Sequence, residues 1–430
     1  MKRYETYKDS GIQWWEEIPT HWDLKKAKHM FSLVTENVSD SSLPKIALEN
    51  IESWTGKYIE TDSDFMGEGV EFKKDDILFG KLRPYLAKVY KAEFAGQAVG
   101  DIYVFRGNEE QNPKYLKYLL LSYPFISVVD GSTYGAKMPR ANWDFISHLV
   151  LPCPPKTEQV TIAAYLDHKV SQIDATIAEK EQMLEDIKAY RSAIISEAVT
   201  KGLDKNVEMK DSGVEWIGMI PKHWNINKLK FFADISTGTT PSTDNEEYWK
   251  EPTENWYTPS DFCEENVHLE TSSRKVSATA FQESACRVFK KDVVLVVGIG
   301  ATLGKIGISS VECSANQQIN AIEFYDNVYP LFGAYYLSSL KEVMKSLASA
   351  ATLAIMNQSV TGSIPFVCPT LDEQKEIADY LEKKTKSICS LLNQIEVQID
   401  ELKSYKSVLI TEAVTGKIDL REWKPKEDNV

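Results

Sequence analysis

The hydrophobic residues of this chain form two long stripes with helical spacing. In the first stripe, between Glu158 and Thr200, apolar positions recur every three or four residues without an interrupting glycine or proline. Its members are Leu166, Val170, Ile173, Ile177, Leu184, Ile187, Ile194 and Ala198. The second stripe, between Asp372 and Thr415, contains Leu381, Ile388, Leu392, Ile395, Ile399, Leu402 and Leu409. We therefore predict two long helices, the first roughly 64 Å long, which bury their stripes most simply by packing together as an antiparallel coiled coil.

Shorter patterns before and between these helices predict two α+β domains. Each domain has two strand-like runs followed by a helix. These elements lie at Asp76–Phe79, Ile102–Phe105 and Tyr115–Leu121 in the first domain, and at Val293–Val297, Ile319–Phe324 and Leu331–Ser346 in the second. Because the two domains share an order of elements but little sequence, we expect one fold that carries two different recognition surfaces.

Short motifs that flank these domains occur twice. Asp9–Trp14 and Ile18–Trp22 return 202 residues later as Asp211–Trp216 and Ile220–Trp224. A second set recurs 215 residues later and comprises Cys153-Pro154, Glu158-Gln159, Ile162-Ala163, Tyr165-Leu166 and Glu197–Thr200. Such a repeat duplicates a domain together with its connector, so we predict a pseudo-twofold internal repeat. The predicted division is 1–156 for the N-terminal motif and first domain, 157–205 for the first long helix, 206–370 for the second domain, 371–418 for the second long helix and 419–430 for a tail.

Composition and charge restrict the class of protein. A length of 430 residues with 43% apolar and 11% aromatic residues allows two to three domains with real cores. The net charge of −14 weighs against non-specific adhesion to nucleic acid, although it leaves room for local basic surfaces and a more basic partner. The longest apolar run, around Val293 to Ala301, is too short to span a membrane and no signal segment is visible, which predicts a cytoplasmic protein. Six cysteines without a C-x-x-C pair suggest neither a zinc site nor disulfides.

Two duplicated Pro-x-His-Trp segments contain the histidines that most invite a catalytic interpretation, His21 and His223. Their identical placement in the repeated segments favours packing and hydrogen bonding instead. The neighbouring Trp22 and Trp224 are interpreted as anchors that fix each domain to the long helices.

No catalytic motif is convincing elsewhere. The run Val293–Gly304 resembles a dinucleotide-binding fingerprint, but its glycine spacing is one residue too long, and Lys305–Ile308 has the pattern of a strand where the motif requires a helix. Gly304-Lys305 also lacks the earlier glycine of a Walker A motif. The only Pro-Pro pair, Pro154-Pro155, lacks the flanking residues of an amino-methyltransferase motif. We therefore expect a chain that is not an enzyme and has no metal site.

As an ordered and duplicated set, these motifs resemble the specificity subunit of type I restriction-modification enzymes over essentially the whole chain. The resemblance rests on the two Asp-Ser-Gly-x-x-Trp and Ile-Pro-x-His-Trp segments, on the repeated ends of the long helices, and on motifs within each domain. The latter are Gly80–Tyr85 in the first domain and Thr237–Ser242, Tyr248-Trp249, Gly304-Lys305 and Asn316–Asn320 in the second. It implies two α/β target recognition domains that read a bipartite site in double-stranded DNA, separated by paired helices.

The resemblance also implies partners. Two copies of a methyltransferase subunit are expected, which would bring S-adenosylmethionine and flip an adenine out of the duplex. Restriction subunits would bring ATP and Mg. This chain itself would hold none of these cofactors.

Candidate DNA-binding residues are those whose side chains suit base edges and phosphates. In the first domain they are Lys81, Arg83, Tyr85 and Lys88 in a loop after a strand, and Tyr134, Lys137 and Arg140 before the first long helix. In the second domain they are Thr239, Lys305, Asn316, Gln317, Gln318, Asn357 and Gln358. The alternative to DNA contact for the residues around Arg83 is an ordinary solvated loop. For the Asn and Gln side chains, the alternative is that they cap turns between strands. An offset of 215 aligns Asn142 with Asn357, but it places Thr352 and Ile355 where Lys137 and Arg140 stand.

Two functional interpretations remain open from the residues. In the first, the paired helices act as a ruler that fixes an unread spacer between two DNA half-sites about one helical turn apart. In the second, the chain is a non-enzymatic coiled-coil scaffold with two protein-binding heads, for which the acidic balance would be natural. Salt-sensitive binding to a bipartite DNA site discriminates between them.

Overall fold

The computed structural model describes residues 2–12, 14–38, 43–61, 65, 67–133, 138–348 and 355–425. The chain divides into two compact units, and each is described by itself. Unit 1 comprises Met1–Lys180 and Val397–Val430, and unit 2 comprises Glu181–Glu396.

Unit 1 contains a mixed set of strands and helices. Its strands are β1 (Tyr7–Asp9), β2 (Glu17–Pro19), β3 (Asp23–Lys26), β4 (Phe31–Val34), β5 (Asn37–Val38), β6 (Lys45–Ile46), β7 (Gly69–Phe72), β8 (Ile77–Gly80), β9 (Val89–Lys91), β10 (Gly96–Ala98), β11 (Ile102–Gly107) and β12 (Val150–Cys153). Its helices are α1 (Pro113–Leu121), α2 (Tyr123–Gly131) and α3 (Trp143–His148). The first long helix, α4 (Lys156–Lys201), begins in unit 1 and ends in unit 2.

Unit 2 repeats this order with additions. Its strands are β13 (Met209–Asp211), β14 (Met219–Pro221), β15 (Asn225–Lys228), β16 (Ala233–Thr237), β17 (Glu254–Tyr257), β18 (His268–Leu269), β19 (Lys275–Val276), β20 (Val293–Val297), β21 (Ile306–Ser309), β22 (Ser314–Ala315), β23 (Ile319–Phe324) and β24 (Pro365–Cys368). Its helices are α5 (Ala278–Gln282), α6 (Pro330–Ser338), α7 (Lys341–Ala348) and α8 (Gln358–Ser363). The second long helix, α9 (Leu371–Val414), begins in unit 2 and ends in unit 1.

The main sheet has the same strand order in both units. In unit 1 the order is β4-β11-β8-β9, and in unit 2 it is β16-β23-β20-β21, extended by β18. All neighbours among the four shared strands are antiparallel. The predicted duplication of fold is thus confirmed, although these parts of the sequence differ.

Hydrophobic periodicity explains why β20 lies in the middle of its sheet. Val294 and Val296 belong to one buried cluster, whereas Val293, Leu295 and Val297 belong to another. Alternate side chains of a strand point to opposite faces, so an unbroken apolar run is suited to a strand that is covered on both sides. Exposing one of these side chains would cost roughly 1.5–3 kcal/mol.

In each unit, a two-stranded ribbon next to the start of a long helix joins the two ends of the α+β domain. In unit 1, β12 pairs with β3, and in unit 2, β24 pairs with β15. We call residues 23–153 head 1 and residues 225–368 head 2. Because the first and last strands of each head pair with each other, both ends of the head are fixed next to the start of α4 or α9.

The long helices lie within two residues of the predicted stripes at both ends, but each stops four residues before the end of its predicted segment, at Lys201 and Val414. In unit 1, Asp174 of α4 accepts a hydrogen bond from Lys406 of α9 at 2.8 Å, and Lys180 donates to Gln398 at 2.7 Å. Residue numbers rise along α4 as they fall along α9, so the two helices are antiparallel there. In unit 2, apolar residues of both helices join one core cluster with residues of head 2, among them Val199.

One predicted helix is wrong in its extent. The pattern predicts a single helix over Leu331–Ser346, but the structure has α6 and α7 with a break at Ser339. The hydroxyls of Ser338 and Ser339 donate to the backbone oxygens of Tyr335 and Tyr336 at 2.8 and 2.7 Å. Serine side chains that bond to the preceding turn compete with the helical hydrogen bonds and favour an end.

All six cysteines are free. Cys153, Cys286, Cys313 and Cys368 are buried, Cys389 is half-buried and Cys263 is exposed. Burial raises the pKa of the Cys313 thiol to about 12, which keeps it protonated and unreactive. In the part of the chain that the structure describes, no helix has the length and apolar character needed to cross a membrane.

Candidate nucleic-acid interface

The candidate residues of head 1 gather at one edge of the main sheet. The register places the end of β8 opposite the start of β11 through the pair Gly80 and Ile102. The loop 81–88 leaves this edge, and residues 138–141 lie against it. The amide of Arg83 donates to Pro139 O at 2.8 Å, and the amide of Ala141 donates to the oxygen of residue 81 at 2.8 Å. We call loop 81–88, Asp101 and residues 138–141 edge 1.

Edge 1 is electropositive although the whole chain is acidic. The guanidinium of Arg140 donates to both carboxylate oxygens of Asp101, at 3.2 and 3.0 Å, and Lys81 Nζ lies 3.7 Å from the same carboxylate. Arg83 is exposed and has no ion pair or side-chain hydrogen bond within the described residues. Two cations thus share one carboxylate and a third has none, which leaves a local excess of positive charge for phosphate or base contacts.

Aromatic side chains border this loop. Tyr85 is 46% exposed, and its backbone oxygen accepts a hydrogen bond from Trp54 Nε1 at 3.1 Å. The ring of Trp54 stacks on Tyr123 with centroids 6.4 Å apart, and Tyr123 is 61% exposed. The sequence does not mark Trp54 and Tyr123 as candidates, because tertiary folding alone brings them beside Tyr85.

Head 2 presents the corresponding edge with different side chains. The pairs Thr237 with Asn320 and Val297 with Ile319 place the end of β16, the end of β20 and the start of β23 together. We call residues 237–240, Arg287, loop 298–305, residues 316–318 and residues 355–358 edge 2. Gln358 Nε2 donates to Thr237 Oγ1 at 2.9 Å, which ties α8 to this edge.

The amides predicted to read bases are partly engaged with each other. Asn316 Nδ2 donates to Gln318 Oε1 at 3.1 Å, and Asn316 Oδ1 accepts from the Gln318 amide at 3.0 Å. Gln317 Oε1 accepts a hydrogen bond from Thr240 Oγ1. Gln317 and Gln318 are exposed, and no hydrogen bond within the described residues uses their Nε2 groups, which remain suited to adenine edges. Asn316 acts as a turn cap, as the alternative interpretation had it.

Arg287 is a cation of edge 2 that the sequence analysis missed. Its guanidinium donates to Thr237 O at 3.0 Å, and its backbone amide donates to Thr239 Oγ1 at 2.7 Å. The side chain is exposed and has no carboxylate partner within the described residues. Nothing in the local pattern marks it, since Arg287 lies about 50 residues from the threonines that it contacts.

Several backbone hydrogen bonds of one edge have counterparts in the other. Residue 81 donates its amide to Asp101 O at 2.9 Å, and Gly298 donates its amide to Gln318 O at 2.8 Å. The oxygens of residues 81 and 298 accept from Ala141 at 2.8 Å and from Met356 at 2.7 Å. Isolated bridges join residues 82 and 140 in one edge and residues 299 and 355 in the other. The two heads therefore hold unlike loops on the same backbone frame.

The alignment of Asn142 with Asn357 is reflected in the structure. Asn142 Oδ1 accepts from the Asp144 amide at 2.8 Å and caps α3, while Asn357 Oδ1 accepts from the Val360 amide at 2.9 Å and caps α8. The capping role occupies the oxygen of Asn357. Tyr134 and Lys137, which the sequence analysis also names, lie outside the described residues, as does Thr352.

Lys88 and Lys305 both turn their ammonium groups toward the protein. Lys88 Nζ donates to Leu48 O at 2.6 Å, and Lys305 Nζ donates to Phe262 O at 3.1 Å. Each side chain is half-buried. The structure thus gives these two candidates internal partners that Arg83 lacks.

The duplicated histidines and tryptophans bind one carboxylate in each unit. In unit 1, Glu158 at the start of α4 accepts from Trp22 Nε1 and Tyr4 Oη, both at 3.0 Å, and lies 2.6 Å from His21 Nε2. Trp22 has no exposed surface. The predicted anchoring of head to helix is confirmed here, and His21 serves hydrogen bonding as expected.

Glu373 plays the same part in unit 2. It accepts from Trp224 Nε1 at 3.1 Å and from Thr370 Oγ1 at 2.7 Å, and its carboxylate is 2.8 Å from His223 Nε2. Burial by itself raises the pKa of the Glu373 carboxyl, but the hydrogen bonds from Thr370, His223 and Trp224 outweigh it and lower the pKa to about 2. The carboxylate is therefore ionised and holds head 2 on α9.

Comparison with known proteins identifies the family to which these features belong. The family described as "Type I restriction modification DNA specificity domain" matches residues 32–188 and 221–401. The MjaIX type I restriction enzyme specificity subunit of Methanocaldococcus jannaschii is 29% identical over 181 residues, which cover 40% of this chain and 41% of that protein. A second protein of that organism, the putative MjaX specificity subunit, is 22% identical over 445 aligned residues, which cover 96% of this chain and 98% of that protein.

Solved structures show the same fold. A chain from a study of complex assembly and conformational transition of the type I R-M system matches with a TM-score of 0.75 at 17% identity, covering 93% of this chain and 99% of that one. The HsdS subunit from Thermoanaerobacter tengcongensis matches with a TM-score of 0.50 at 17% identity, covering 93% of this chain and 98% of that one.

Proposed function

Because the chain belongs to the family of type I restriction-modification DNA specificity subunits, we propose that it reads a bipartite sequence in double-stranded DNA, one half with each head. The family recognises DNA sequence on behalf of methyltransferase and restriction subunits, and its members are generally not catalytic. For this chain, the finer assignment is that edge 1 contacts one half-site and edge 2 contacts the other.

The observation that carries this proposal is the pair of matching edges. Edges 1 and 2 share a frame of backbone hydrogen bonds, but their side chains differ at nearly every position. Two surfaces that recognise different DNA sequences require this combination. In edge 1, the exposed Arg83 is the strongest candidate for a phosphate or guanine, with Lys81 and Arg140 beside it. Tyr85 offers an exposed ring next to these cations, and Tyr134 and Lys137 remain proposed contacts of the same half-site.

Edge 2 is suited to a different half-site. The exposed amides of Gln317, Gln318 and Gln358 match the donor and acceptor pattern of adenine in the major groove. Arg287 adds a cation beside Thr237, and Thr239 fixes its backbone. Asn316 and Asn357 support these readers mainly as caps.

The chemistry belongs to the partners in this proposal. Two methyltransferase subunits bind the repeated parts of the chain and bring S-adenosylmethionine, and restriction subunits bring ATP and Mg. Two copies follow from the internal repeat, since each unit presents a similar set of Trp, His and Glu side chains. The role of this chain is to place the partners on the correct sequence.

The long helices set the unread spacer. Insertion of one heptad into both α4 and α9, at residues 180 and 396, adds about 10.5 Å while keeping the apolar stripe in register. We expect the recognised spacer to lengthen by about three base pairs at roughly 3.4 Å each, with both half-sites unchanged. A changed half-site sequence at an unchanged spacer contradicts the ruler. The matched control inserts seven residues into the tail after Trp423.

Modified-base sequencing of the host genome, with and without this gene, tests the function itself. We expect deletion to abolish one bipartite adenine-methylation motif, which reveals both half-sites and the spacer together. Complementation with the intact gene restores the motif, and a variant with Arg83→Glu does not. An unchanged methylome in a host that expresses its methyltransferase contradicts the proposal and favours a scaffold with two protein-binding heads.

A further inference from the structure

Lys88 and Lys305 occupy the same position in the two heads. The backbone oxygen of Lys88 accepts from Gly80 at 2.8 Å, and that of Lys305 accepts from Val297 at 3.0 Å, so each lysine closes the loop of its edge. Each is followed directly by the next strand, β9 or β21. The preceding residues, Ala87 and Gly304, both have positive φ angles, of 46° and 84°.

This turn has a sequence signature that neither flanking region shares. Leu86-Ala87-Lys88-Val89 matches Leu303-Gly304-Lys305-Ile306, whereas the rest of the two loops differs. A left-handed residue is rarely an alanine, because its Cβ crowds the backbone there. Head 1 keeps this conformation even so, and in both heads the lysine that follows directs its ammonium group to a backbone carbonyl.

Both ammonium groups bind a carbonyl in or next to a short 3-10 helix, although at opposite ends of it. Lys88 Nζ donates to Leu48 O, at the start of Leu48–Asn50, and Lys305 Nζ donates to Phe262 O, directly after Pro259–Asp261. These helices are equivalent, because each follows a strand in a parallel pair. In head 1 that strand is β6, which pairs with β10, and in head 2 it is β17, which pairs with β22. Their first turns are also closed alike, by Asn50 in head 1 and by Asp261 in head 2.

The segments after these 3-10 helices reach the long helices within each unit. We call residues 52–58 and 262–268 the bracing loops. In unit 1, Lys57 Nζ lies 2.8 Å from Asp174 of α4. In unit 2, Glu265 O accepts from the Arg191 guanidinium of α4 at 2.9 Å and from Cys389 Sγ of α9 at 3.0 Å. A chain of contacts therefore runs from each DNA-facing loop through its lysine to the helices.

We propose that Lys88 and Lys305 are positioning residues that tie the DNA-facing loop of each head to the segment formed by the 3-10 helix and its bracing loop, and that they do not contact DNA. The inference rests on the proposed function of edges 1 and 2. Both lysine side chains are half-buried and direct Nζ at an internal carbonyl, which withdraws the charge from the exposed surface where Arg83 lies. Burial also lowers the pKa of Lys88, consistent with a group withdrawn from solvent. Loss of the tie frees the loop, which weakens discrimination between bases more than attraction to the backbone.

The salt dependence of binding separates the two roles. The full chain is assembled with its methyltransferase partner, and equilibrium binding is measured over a range of salt concentrations on the native bipartite duplex. A second pair of duplexes carries base changes in one half-site each. The variants are Lys88→Met and Lys305→Met, which keep the apolar stem but remove the donor, and Lys88→Arg and Lys305→Arg, which keep a donor.

We expect each methionine variant to leave the slope of log K against log salt unchanged. Discrimination against base changes should fall about tenfold in the half-site of the altered head and stay constant in the other, and the arginine variants should restore most of it. Arg83→Gln is the matched control, for which the slope should decrease in magnitude by about one.

Two results would overturn the inference. A decrease of about one in the slope for Lys88→Met or Lys305→Met would show a phosphate contact, and unchanged discrimination in both variants would show that the tie does not matter. Failure of the unaltered complex to prefer the native duplex is a different result, because it removes the proposed function itself. Should Lys88→Met fail to fold, Lys305→Met and the two arginine variants still decide the question.

Discussion

Edges 1 and 2 differ from the anchoring sites around Glu158 and Glu373 in the way that they repeat. At the edges the backbone hydrogen bonds are repeated and the side chains are not. At the anchors the side chains themselves recur, since His21, Trp22 and Glu158 correspond to His223, Trp224 and Glu373.

The difference has a physical cause. A frame made of backbone amides and carbonyls places few demands on sequence, so the residues that it carries are free to diverge. An anchor made of a buried carboxylate requires specific donors, because each lost partner leaves a buried polar group unsatisfied at a cost of about 1–3 kcal/mol. The recognition surfaces therefore lie where backbone hydrogen bonds hold the structure together. The attachment sites lie where hydrogen bonds between side chains hold it together.

Charge reversal in edge 1 should produce the largest effect. Arg83→Glu replaces an exposed cation with an anion that repels the phosphates, and we expect specific DNA binding to weaken by about a hundredfold at moderate salt. Equilibrium binding to the native duplex measures it. Lys28→Glu makes the same charge change at the other end of the sheet and should have a much smaller effect, since Lys28 precedes β4. Equal losses in both variants would mean that only net charge matters.

Removal of an anchor carboxylate should destabilise the protein without changing the sequence that is read. Glu158→Gln leaves donors of Tyr4, Trp22 or His21 unpaired in a largely buried site, and we expect a loss of about 2–3 kcal/mol in the free energy of unfolding. Glu373→Gln should cost less, about 1 kcal/mol, because the Glu373 side chain is 33% exposed against 11% for Glu158 and its interactions are screened. Denaturant unfolding measures both, and a larger loss for Glu373→Gln would contradict the role of burial.

The low pKa of Glu373 gives this second anchor a pH signature. Its folded pKa of about 2 lies below its ordinary value of 4.5, so its stabilising contribution is complete above about pH 4.5 and is lost as the pH falls toward 2. We expect the stability difference between the native protein and Glu373→Gln to shrink over that interval. Unfolding measured at pH 6 and pH 3 tests this, and a difference that does not change with pH would refute the depressed pKa.

Arg287 tests whether the two edges read independently. Arg287→Gln removes the cation of edge 2 that lies beside Thr237, and we expect about a tenfold loss of affinity and relaxed recognition in one half-site only. Lys291→Gln is the control, since this exposed lysine precedes β20 at the opposite end of the sheet. Binding to duplexes altered in either half-site gives the result. Relaxation in both half-sites would contradict the assignment of one edge to each half.

The two capping asparagines should show the smallest effect. Asn142→Ala and Asn357→Ala each remove a helix cap, and we expect each to cost about 1 kcal/mol of stability. If capping is the main role of Asn357, both variants keep the sequence preference of the native protein. A loss of specificity in Asn357→Ala alone, by the same duplex assay, would restore Asn357 as a base contact.

The sequence by itself determined the frame of this protein. The stripes of apolar residues predicted α4 and α9 to within two residues of their ends, because the apolar positions of a helix of more than forty residues repeat many times. The unbroken apolar run of β20 and the duplicated Pro-x-His-Trp segments were equally informative, since both are local patterns. The break between α6 and α7 was missed because serine is compatible with a helix until its hydroxyl bonds to the preceding turn.

Only the tertiary structure decided how the candidate residues are used. Lys88, Lys305 and Arg83 have the same charge in the sequence, yet the first two are held on carbonyls from distant segments and the third is exposed. Arg287 and Trp54 join the edges through contacts with residues about 50 and 31 positions away. The direction of a side chain depends on which distant backbone groups lie beside it, and chain folding sets those neighbours.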